Sequence, residues 1–396
     1  MERKNGFFTG ALVGALAMLA VILGLNGGPS IFSKIGGKDG VVSVKTSQKI
    51  ESIRKIMDEV YLYGDEINED ALQEAIVKGY VKGLKEPYTV YYNEEETNAL
   101  FQATSGEFGG IGVVVTEDLE TGLLTFVTVY EDAPGEAAGF LEGDLVYKVN
   151  GEDITGMDMD TVISKIRGKI GTTVEITVLR GENLEEYTAT ATRALIKDDT
   201  VTSEMKDGKV GYILLSSFED VTYDQFEEAL TDLSNQNMQG LVVDLRGNPG
   251  GNLSTVCDVL DLILPEGTIV STKDRNGKGE TYKSDEERQL NIPLVVLINE
   301  YSASAAEIFA GAVKDYGIGT LVGMTTYGKG IVQNVYKLRD GTSLKITGSE
   351  YFTPNGTSIH GVGVKPDVEV KYEYDAANPE WDNQLEKALE VLKNKM

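Results

Sequence analysis

The feature that most constrains the fold is an alternation of strand-like and helix-like segments that begins after residue 200. Short runs rich in Val, Ile and Leu alternate with segments whose apolar residues recur at helical spacing. Such alternation favours a mostly parallel sheet with flanking helices on both faces. We therefore predict an α/β domain over residues 196–396. Its predicted strands are 210–215, 240–245 and 293–298, and its predicted helices are 223–236, 253–262, 304–314 and 382–393.

Residues 105–195 follow a different, strand-rich pattern. A glycine-rich turn at 109–112 leads into three valines, and strands are predicted at 124–129 and 173–179 with a short helix at 159–166 between them. Before that helix come A-P-G-E-A-A-G at 133–139 and G-D-L-V-Y-K-V-N-G at 143–151, which ends in an Asn-Gly hairpin signal. This order of motifs resembles a small, β-rich PDZ domain in the circularly permuted form of bacterial proteases. A generic small β domain is the alternative.

The first 34 residues carry a membrane signal. Residues 5–33 contain no charged residue, and 7–25 are almost wholly apolar, which is about the length that spans a bilayer. Arg3 and Lys4 precede this segment, and their charge favours a cytosolic N-terminus. We expect an uncleaved, single-pass transmembrane helix, with everything after residue 34 outside the cytosol. A cleaved signal peptide and a buried core helix are the alternatives, although no A-x-A cleavage site follows. Residues 35–104 read as a linker and a helical N-terminal region, with two helices between 47 and 84.

An acidic charge and two scarce residue types exclude several functions. The net charge of −27 argues against nucleic acid as a partner, because the phosphate backbone demands a basic surface. The only cysteine, Cys257, forbids an intrachain disulfide, and the only histidine, His360, forbids a zinc site built on several histidines. A Ser-His-Asp triad would have to use His360. A cysteine-rich metal site is excluded as well, and we expect any hydrolase here to use a base other than histidine.

The segment around Lys329 resembles a phosphate-binding loop but lacks two of its features. Residues 323–329 supply the G-x-x-x-x-G-K pattern, but Gly330 has no hydroxyl for magnesium. Residues 331–336 read as a strand, whereas this kind of loop opens a helix. Nucleotide binding is thus a disfavoured alternative.

A second candidate for chemistry is the run S-A-S-A-A-E at 302–307, which opens a predicted helix. Ser304 and Glu307 have the spacing of a capping box. A helix N-terminus also stabilises negative charge, so the same serine suits nucleophilic attack. A serine nucleophile needs a base. Lys329 lies between glycines and is followed by two apolar residues, which suits burial, and burial lowers the pKa of a lysine.

Six segments in order, within a span of roughly residues 47–393, resemble the carboxy-terminal processing peptidases, also known as tail-specific proteases. The resemblance implies a serine endopeptidase that cleaves polypeptides near their C-termini and needs neither a metal nor a cofactor. It also implies a bacterial protein of the cell membrane whose catalytic part is extracytoplasmic. The matching segments are 80–88, 244–251 (D-L-R-G-N-P-G-G), 302–307, 328–333 (G-K-G-I-V-Q), 351–356 and 363–367.

The same resemblance assigns roles to individual residues. It implies that Ser304 is the nucleophile, that Lys329 is the base and that Gln333 orients the lysine. The backbone N–H groups of Gly250 and Ala305 would form the oxyanion hole. The chain departs from the family outside this set at Glu86, Thr89 and Ala306, where Asp, Ser and Ser are usual.

In a PDZ domain an extended peptide adds a strand to the sheet, and backbone N–H groups hold its terminal carboxylate. We expect Gly110, Ile111 and Gly112 to form this carboxylate site, Val113 to begin the pairing edge, and Arg167 to pair with a carboxylate. The expected partners are polypeptides with accessible C-termini and the membrane. The oligomeric state is left open, with a homodimer as one option. An inactive PDZ scaffold is the alternative from another class, and the intact Ser304, Lys329 and Gln333 disfavour it.

Overall fold

The computed structural model describes residues 42–117, 123–157, 159–181, 183–378 and 381–396. The predicted membrane segment, residues 1–34, lies outside these ranges. Within them, no helix has both the length and the apolar character that a membrane crossing requires. The chain divides into two compact units, Met1–Ala75 and Ile76–Met396.

The described part of the first unit is helical, as the sequence predicts. Helix α1 (Val44–Val60) begins at Ser43, whose hydroxyl accepts a hydrogen bond of 3.2 Å from the Thr46 N–H. A single 3₁₀ turn follows at Gly64–Glu66, and α2 (Glu69–Lys82) starts in this unit and ends in the next.

The second unit opens with three short elements, β1 (Val90–Tyr92), α3 (Glu94–Ser105) and β2 (Glu107–Gly110). Helix α3 starts with a capping box. The Asn93 side chain accepts from the Glu96 N–H, and the Glu96 carboxylate accepts from the Asn93 N–H, each at 2.8 Å. This cap fixes the start of the helix that leads into the PDZ-like region.

The PDZ-like region is an antiparallel sheet with two short helices. Its strands lie in the order β3-β4-β5-β7-β8, with β6 paired to β5, so that β3 is an edge strand. The rings of Phe126 and Phe140 meet edge to face, 5.6 Å apart, in its core. The elements are β3 (Val113–Glu117), β4 (Leu124–Val129), α4 (Pro134–Ala137), β5 (Leu145–Val149), β6 (Glu152–Asp153), α5 (Met159–Ile166), β7 (Thr173–Arg180) and β8 (Glu185–Thr192).

Two arginines stabilise this region through buried partners. Arg180 makes a two-pronged ion pair with the buried Asp144, and both N···O distances are 2.7 Å. Arg193 donates to the backbone carbonyls of Lys165 and Ile166, at 2.9 and 2.7 Å, and so caps the C-terminus of α5.

The remainder of the chain forms an α/β core. Strand β9 pairs antiparallel with β2, and this ribbon joins the PDZ-like region to the core. The elements are β9 (Ala194–Lys197), β10 (Val201–Lys206), β11 (Val210–Leu215), α6 (Thr222–Asn235), β12 (Gly240–Asp244), α7 (Leu253–Asp261), β13 (Gly267–Asp274), β14 (Thr281–Ser284), β15 (Leu294–Ile298), α8 (Ala305–Tyr316), β16 (Gly319–Gly323), β17 (Ile331–Lys337), β18 (Ser343–Phe352), β19 (Val368–Glu369) and α9 (Asn383–Lys393).

The central sheet confirms the predicted strand–helix alternation. Its strands lie in the order β10-β11-β12-β15-β16-β19, and every pairing is parallel except that of β10 with β11. All residues of β12 and β15 are buried. Val243 and Val296 pack in the cluster that includes side chains of α6, α7 and α8, whereas Val242 and Val295 pack against α9. Helices therefore cover both faces of this sheet.

A second sheet corrects the prediction of a mostly parallel core. Its strands lie in the order β1-β18-β13-β14, with β17 also paired to β18, and all of its pairings are antiparallel. The core as a whole is therefore mixed. Sequence analysis identified only β17 among these strands. Strand β1 is only three residues long, and β13, β14 and β18 mix polar with apolar residues and carry no long apolar run.

Candidate active site

Two loops hold the start of α8. After β12 the chain turns through Asn248, whose backbone carbonyl accepts from the Ala303 N–H at 3.0 Å. The buried Ser302 hydroxyl donates to the Leu245 carbonyl at 2.7 Å. Gly250 lies so close that a Cβ there would come within 2.7 Å of the Ser304 Cβ. The glycine-rich loop and the S-A-S-A segment therefore fit together only with glycine at position 250.

Ser304 has a backbone conformation that few non-glycine residues adopt. Its φ is 55° and its ψ is −115°, and it stands immediately before the first residue of α8. Strain of this kind persists only where the surrounding structure enforces it, and it is concentrated at functional sites. The next N–H group, that of Ala305, makes no hydrogen bond within the described part of the chain. The helix start thus presents a hydroxyl beside a free donor.

Glu307 connects the two candidate catalytic residues, a role that sequence analysis missed. Its carboxylate is fully buried and accepts hydrogen bonds from the N–H groups of Ser304 at 2.9 Å and Lys329 at 2.8 Å. It also accepts from the Gly328 N–H at 2.7 Å and from the Thr326 hydroxyl at 2.5 Å. The S-x-x-E spacing identified only the bond to Ser304, because the other partners are about twenty residues away in sequence.

Lys329 lies half-buried at the side of the same cavity as Ser304. Its Nζ stands 4.8 Å from the centroid of the Tyr88 ring. Burial lowers the pKa of Lys329, and the positive charge of Lys345 lowers it further, whereas Glu307 and Glu86 oppose the shift. A lysine in this setting loses its proton more readily than a solvated one.

Gln333 also lines this cavity, but its hydrogen bond is not to the lysine. Its side-chain amide lies 3.5 Å from the Thr347 hydroxyl, which in turn donates to the Glu86 carboxylate at 3.1 Å. Glu86 further accepts from the Tyr88 N–H at 3.0 Å and the Thr89 hydroxyl at 2.6 Å. Two of the positions that depart from the resembled family, 86 and 89, therefore hold the segment that packs on Lys329.

A cavity of about 420 Å³ brings the whole predicted catalytic and oxyanion set together. It is lined by Ser304, Ala305, Lys329, Gln333 and Gly250. The alternative base is elsewhere, because His360 is exposed and packs against Gly330 outside this lining. The P-loop alternative is wrong, since strand β17, and not a helix, follows Lys329.

One predicted oxyanion donor is already engaged. The Gly250 N–H donates to the Asn248 side-chain oxygen at 2.8 Å. The Asn248 amide in turn donates to the Leu215 carbonyl at 2.8 Å, so this side chain is anchored in the core. In this conformation, Ala305 is the predicted donor that is free.

The predicted peptide-binding residues surround one cavity of about 210 Å³ in the PDZ-like region. Its lining includes Gly110, Ile111, Gly112, Val113 and Arg167. The free edge of β3 runs along it, and the Arg167 guanidinium stacks 3.7 Å from the centroid of the Phe108 ring. A sheet edge beside a glycine turn and a cation is suited to an extended peptide with a terminal carboxylate.

The chain is similar to known proteases along most of its length. A model of peptidase family S41 matches residues 209–370, and a PDZ domain model matches residues 125–180. The chain is 32% identical over 373 residues to the carboxy-terminal processing protease CtpA of Bacillus subtilis, an alignment that covers 94% of this chain and 78% of that protein. It is 33% identical over 355 residues to CtpB of the same organism, covering 88% and 72% of the two chains.

A solved structure supports the fold independently. A protein from Bacteroides fragilis that is assigned to the S41 proteases superposes with a TM-score of 0.52 at 18% identity, over 86% of this chain and 97% of that one. The two Bacillus relatives match nearly the full length of this chain, through both the PDZ domain and the catalytic core. The chain therefore belongs to the carboxy-terminal processing proteases of peptidase family S41 and is a serine-type peptidase.

Proposed function

We propose that this peptidase cleaves peptide bonds with a Ser304–Lys329 dyad. The neutral Lys329 amine takes the Ser304 hydroxyl proton while Oγ attacks the scissile carbonyl carbon. The resulting ammonium then gives that proton to the leaving amine, which breaks the peptide bond and leaves an acyl-enzyme. Water attacks the ester in a second step, again with Lys329 as the base, and this frees Ser304.

The observation that carries this proposal is the shared cavity. Ser304 and Lys329 both line it, and Glu307 fixes both backbones through one buried carboxylate. Burial lowers the pKa of Lys329, which favours the neutral amine that a general base requires. Gln333 lines the same cavity.

We infer that the oxyanion hole is completed when substrate binds. The Ala305 N–H is free within the described residues and lies at the start of α8, where the helix dipole adds to its effect. The Gly250 N–H must leave the Asn248 oxygen, or share it, before it can donate to an oxyanion.

We propose that the PDZ domain recognises the C-terminus of the substrate. A peptide strand would pair with β3 and place its carboxylate at Gly110–Gly112, near Arg167, in the 210 Å³ cavity. Amidation of a substrate's C-terminus removes that charge, so cleavage well below saturation should weaken sharply. Equal cleavage of the amidated and free peptides would show that the PDZ domain does not select by the carboxylate.

We also propose a single-pass anchor over residues 7–25 that places the catalytic part outside the cytosol. The uncharged apolar run after Arg3 and Lys4 supports this topology. External protease applied to intact cells should digest the chain beyond residue 34, and a mature chain that starts near residue 30 would instead indicate a cleaved signal peptide. Light scattering of the purified protein tests whether it is a homodimer.

Substitutions at the dyad test the chemistry. Ser304→Ala and Lys329→Ala should each abolish cleavage, and the double variant should be no worse, because the pair acts as a unit. Lys329→Arg should also be inactive, since arginine does not become a neutral base. Lys337→Ala, which changes an exposed lysine on β17, is the matched control. Normal turnover by Lys329→Arg would refute the lysine-base mechanism, and cleavage that persists in Ser304→Ala would refute the nucleophile.

A further inference from the structure

A second lysine, Lys345 on β18, lines the catalytic cavity together with Lys329. In the pairing of β17 with β18, Lys345 lies opposite Val335, and Thr347 lies opposite Gln333. These positions alternate by two along each strand, so they share one face of the sheet. Val335 and Gln333 line the cavity as well, which identifies the face that Lys345 occupies.

Among the residues that the structure describes, no carboxylate pairs with the Lys345 ammonium. It is half-buried, with its Nζ 5.3 Å from the centroid of the Tyr92 ring, and it takes part in no ion pair among the residues that the structure describes. The chain has a large excess of acids, 63 against 36 basic residues, yet none that the structure describes is paired with this lysine. An unneutralised positive charge in the cavity acts on whatever other charge forms there.

We propose that Lys345 is a positioning residue that keeps Lys329 in its neutral, base-competent form by like-charge repulsion. The proposal rests on the Ser304–Lys329 dyad argued above. In this role Lys345 takes part in no proton transfer. Ser304 and Lys329 carry out the reaction, and Lys345 contributes only a fixed positive charge.

The acidic groups near Lys329 favour its protonated form, so a nearby positive charge is needed to offset them. Glu307 on α8 and Glu86 before β1 favour the ammonium form of Lys329. Both carboxylates are held by hydrogen bonds, so neither can move away. The hydrogen bond with Tyr327 and burial raise the pKa of Tyr88, which therefore stays uncharged beside the lysine. Glu219 lines the cavity as well, and burial raises the pKa of its carboxyl group. Within this set, Lys345 is the cation that offsets Glu307 and Glu86.

The test removes the charge and keeps the shape. Lys345→Met should move the acid limb of the pH–rate profile to higher pH, because Lys329 then holds its proton more tightly. We expect cleavage to be on the order of tenfold slower at pH 7, which corresponds to about one pKa unit, and to recover at alkaline pH. Lys345→Arg keeps the charge and should retain the normal profile. Lys337→Met, on the neighbouring strand, is the matched control.

Labelling of Ser304 by an uncharged fluorophosphonate gives a second readout that does not depend on recognition of a peptide. Its rate in Lys345→Met should show the same displaced limb. An unchanged limb with a raised KM for acidic peptides would overturn the proposal and assign Lys345 to substrate binding. A loss that is equal at every pH would overturn it in favour of a structural role. If Lys345→Met does not fold, Lys345→Gln provides the same charge removal.

Failure of the dyad itself would look different. Activity in Lys329→Ala would refute both proposals, whereas an inactive Lys329→Ala together with an unshifted Lys345→Met would refute only the role of Lys345.

Discussion

Replacement of Glu307 tests whether one buried carboxylate sets the geometry of the dyad. Its two oxygens accept four hydrogen bonds, and three of the donors are backbone N–H groups. One oxygen serves Ser304 and Lys329, and the other serves Gly328 and Thr326. Glu307→Gln keeps the shape of the side chain but replaces one acceptor oxygen with an NH₂ donor. That NH₂ group then faces one of the two pairs of donors.

The size of the effect follows from that geometry. In the least harmful orientation, the new NH₂ lies beside Thr326 and Gly328. The Thr326 hydroxyl can rotate to accept a hydrogen bond from it, but the Gly328 N–H is a donor and cannot accept one. A hydrogen bond to a charged group contributes about 1.5–3 kcal/mol, and an unsatisfied buried donor costs about 1–3 kcal/mol. We therefore expect a loss of about 2–5 kcal/mol, which lowers the melting temperature by on the order of 10 °C.

The expected effect on activity is larger than the effect on folding. A displacement of about 1 Å at a reacting group costs roughly a hundredfold in rate. Glu307→Gln should therefore lower kcat by about that factor at a temperature where it remains folded, with little change in KM, since Glu307 does not line the cavity. Steady-state kinetics measure the change in kcat and KM, and thermal unfolding measures the change in stability. The control is Glu300→Gln, which changes an exposed acid in the preceding loop. Wild-type kcat in a folded Glu307→Gln protein would refute the reasoning.

Three further outcomes are expected. Because burial lowers the pKa of Lys329 and only the neutral amine accepts a proton, kcat/KM should rise with pH through a limb whose midpoint lies below the ordinary lysine value of about 10.4; a midpoint at or above that value would contradict this. Gly250→Ala should abolish cleavage, since φ is +102° and the new Cβ would collide with Ser304, whereas Gly247→Ala, at φ +73° in open space, should remain active in the same assay. Asp144→Asn should destabilise the PDZ domain by about 3 kcal/mol, because it breaks a largely buried ion pair, and hydrogen exchange confined to residues 113–192 would show this; unchanged exchange there would count against it.

The sequence predicted the elements whose signals are local. Strand β15 is five apolar residues in a row, all buried, and α8 starts at the capping pair Ser304 and Glu307. Helix α9 begins at Asp382, whose side chain accepts from two N–H groups at its start. Each of these signals lies within a few residues of the element it defines, so the sequence alone was sufficient to predict the element.

The remainder depends on contacts between distant residues. Strand β18 pairs with β1 and β13, which lie far from it in sequence, and its mixed polarity gives no sign of this. The bond that holds the Gly250 N–H depends on the Asn248 side chain and on how that side chain is anchored to Leu215. Lys345 enters the cavity only because β18 folds back beside β17. Sequence spacing cannot report such encounters, since tertiary pairing decides them.

The strain at Ser304 and the hydrogen bonds around it are parts of one arrangement. A residue in this conformation costs about 1–3 kcal/mol, so something must hold it. Its N–H is bound by the Glu307 carboxylate, and its carbonyl accepts the buried Tyr351 hydroxyl at 3.0 Å. These two hydrogen bonds thus fix both backbone polar groups of the strained residue. The backbone of Ser304, the proposed nucleophile, is therefore set before substrate arrives. In the proposed mechanism, the group that must change its hydrogen-bond partner during the reaction is the Gly250 N–H, which now donates to Asn248.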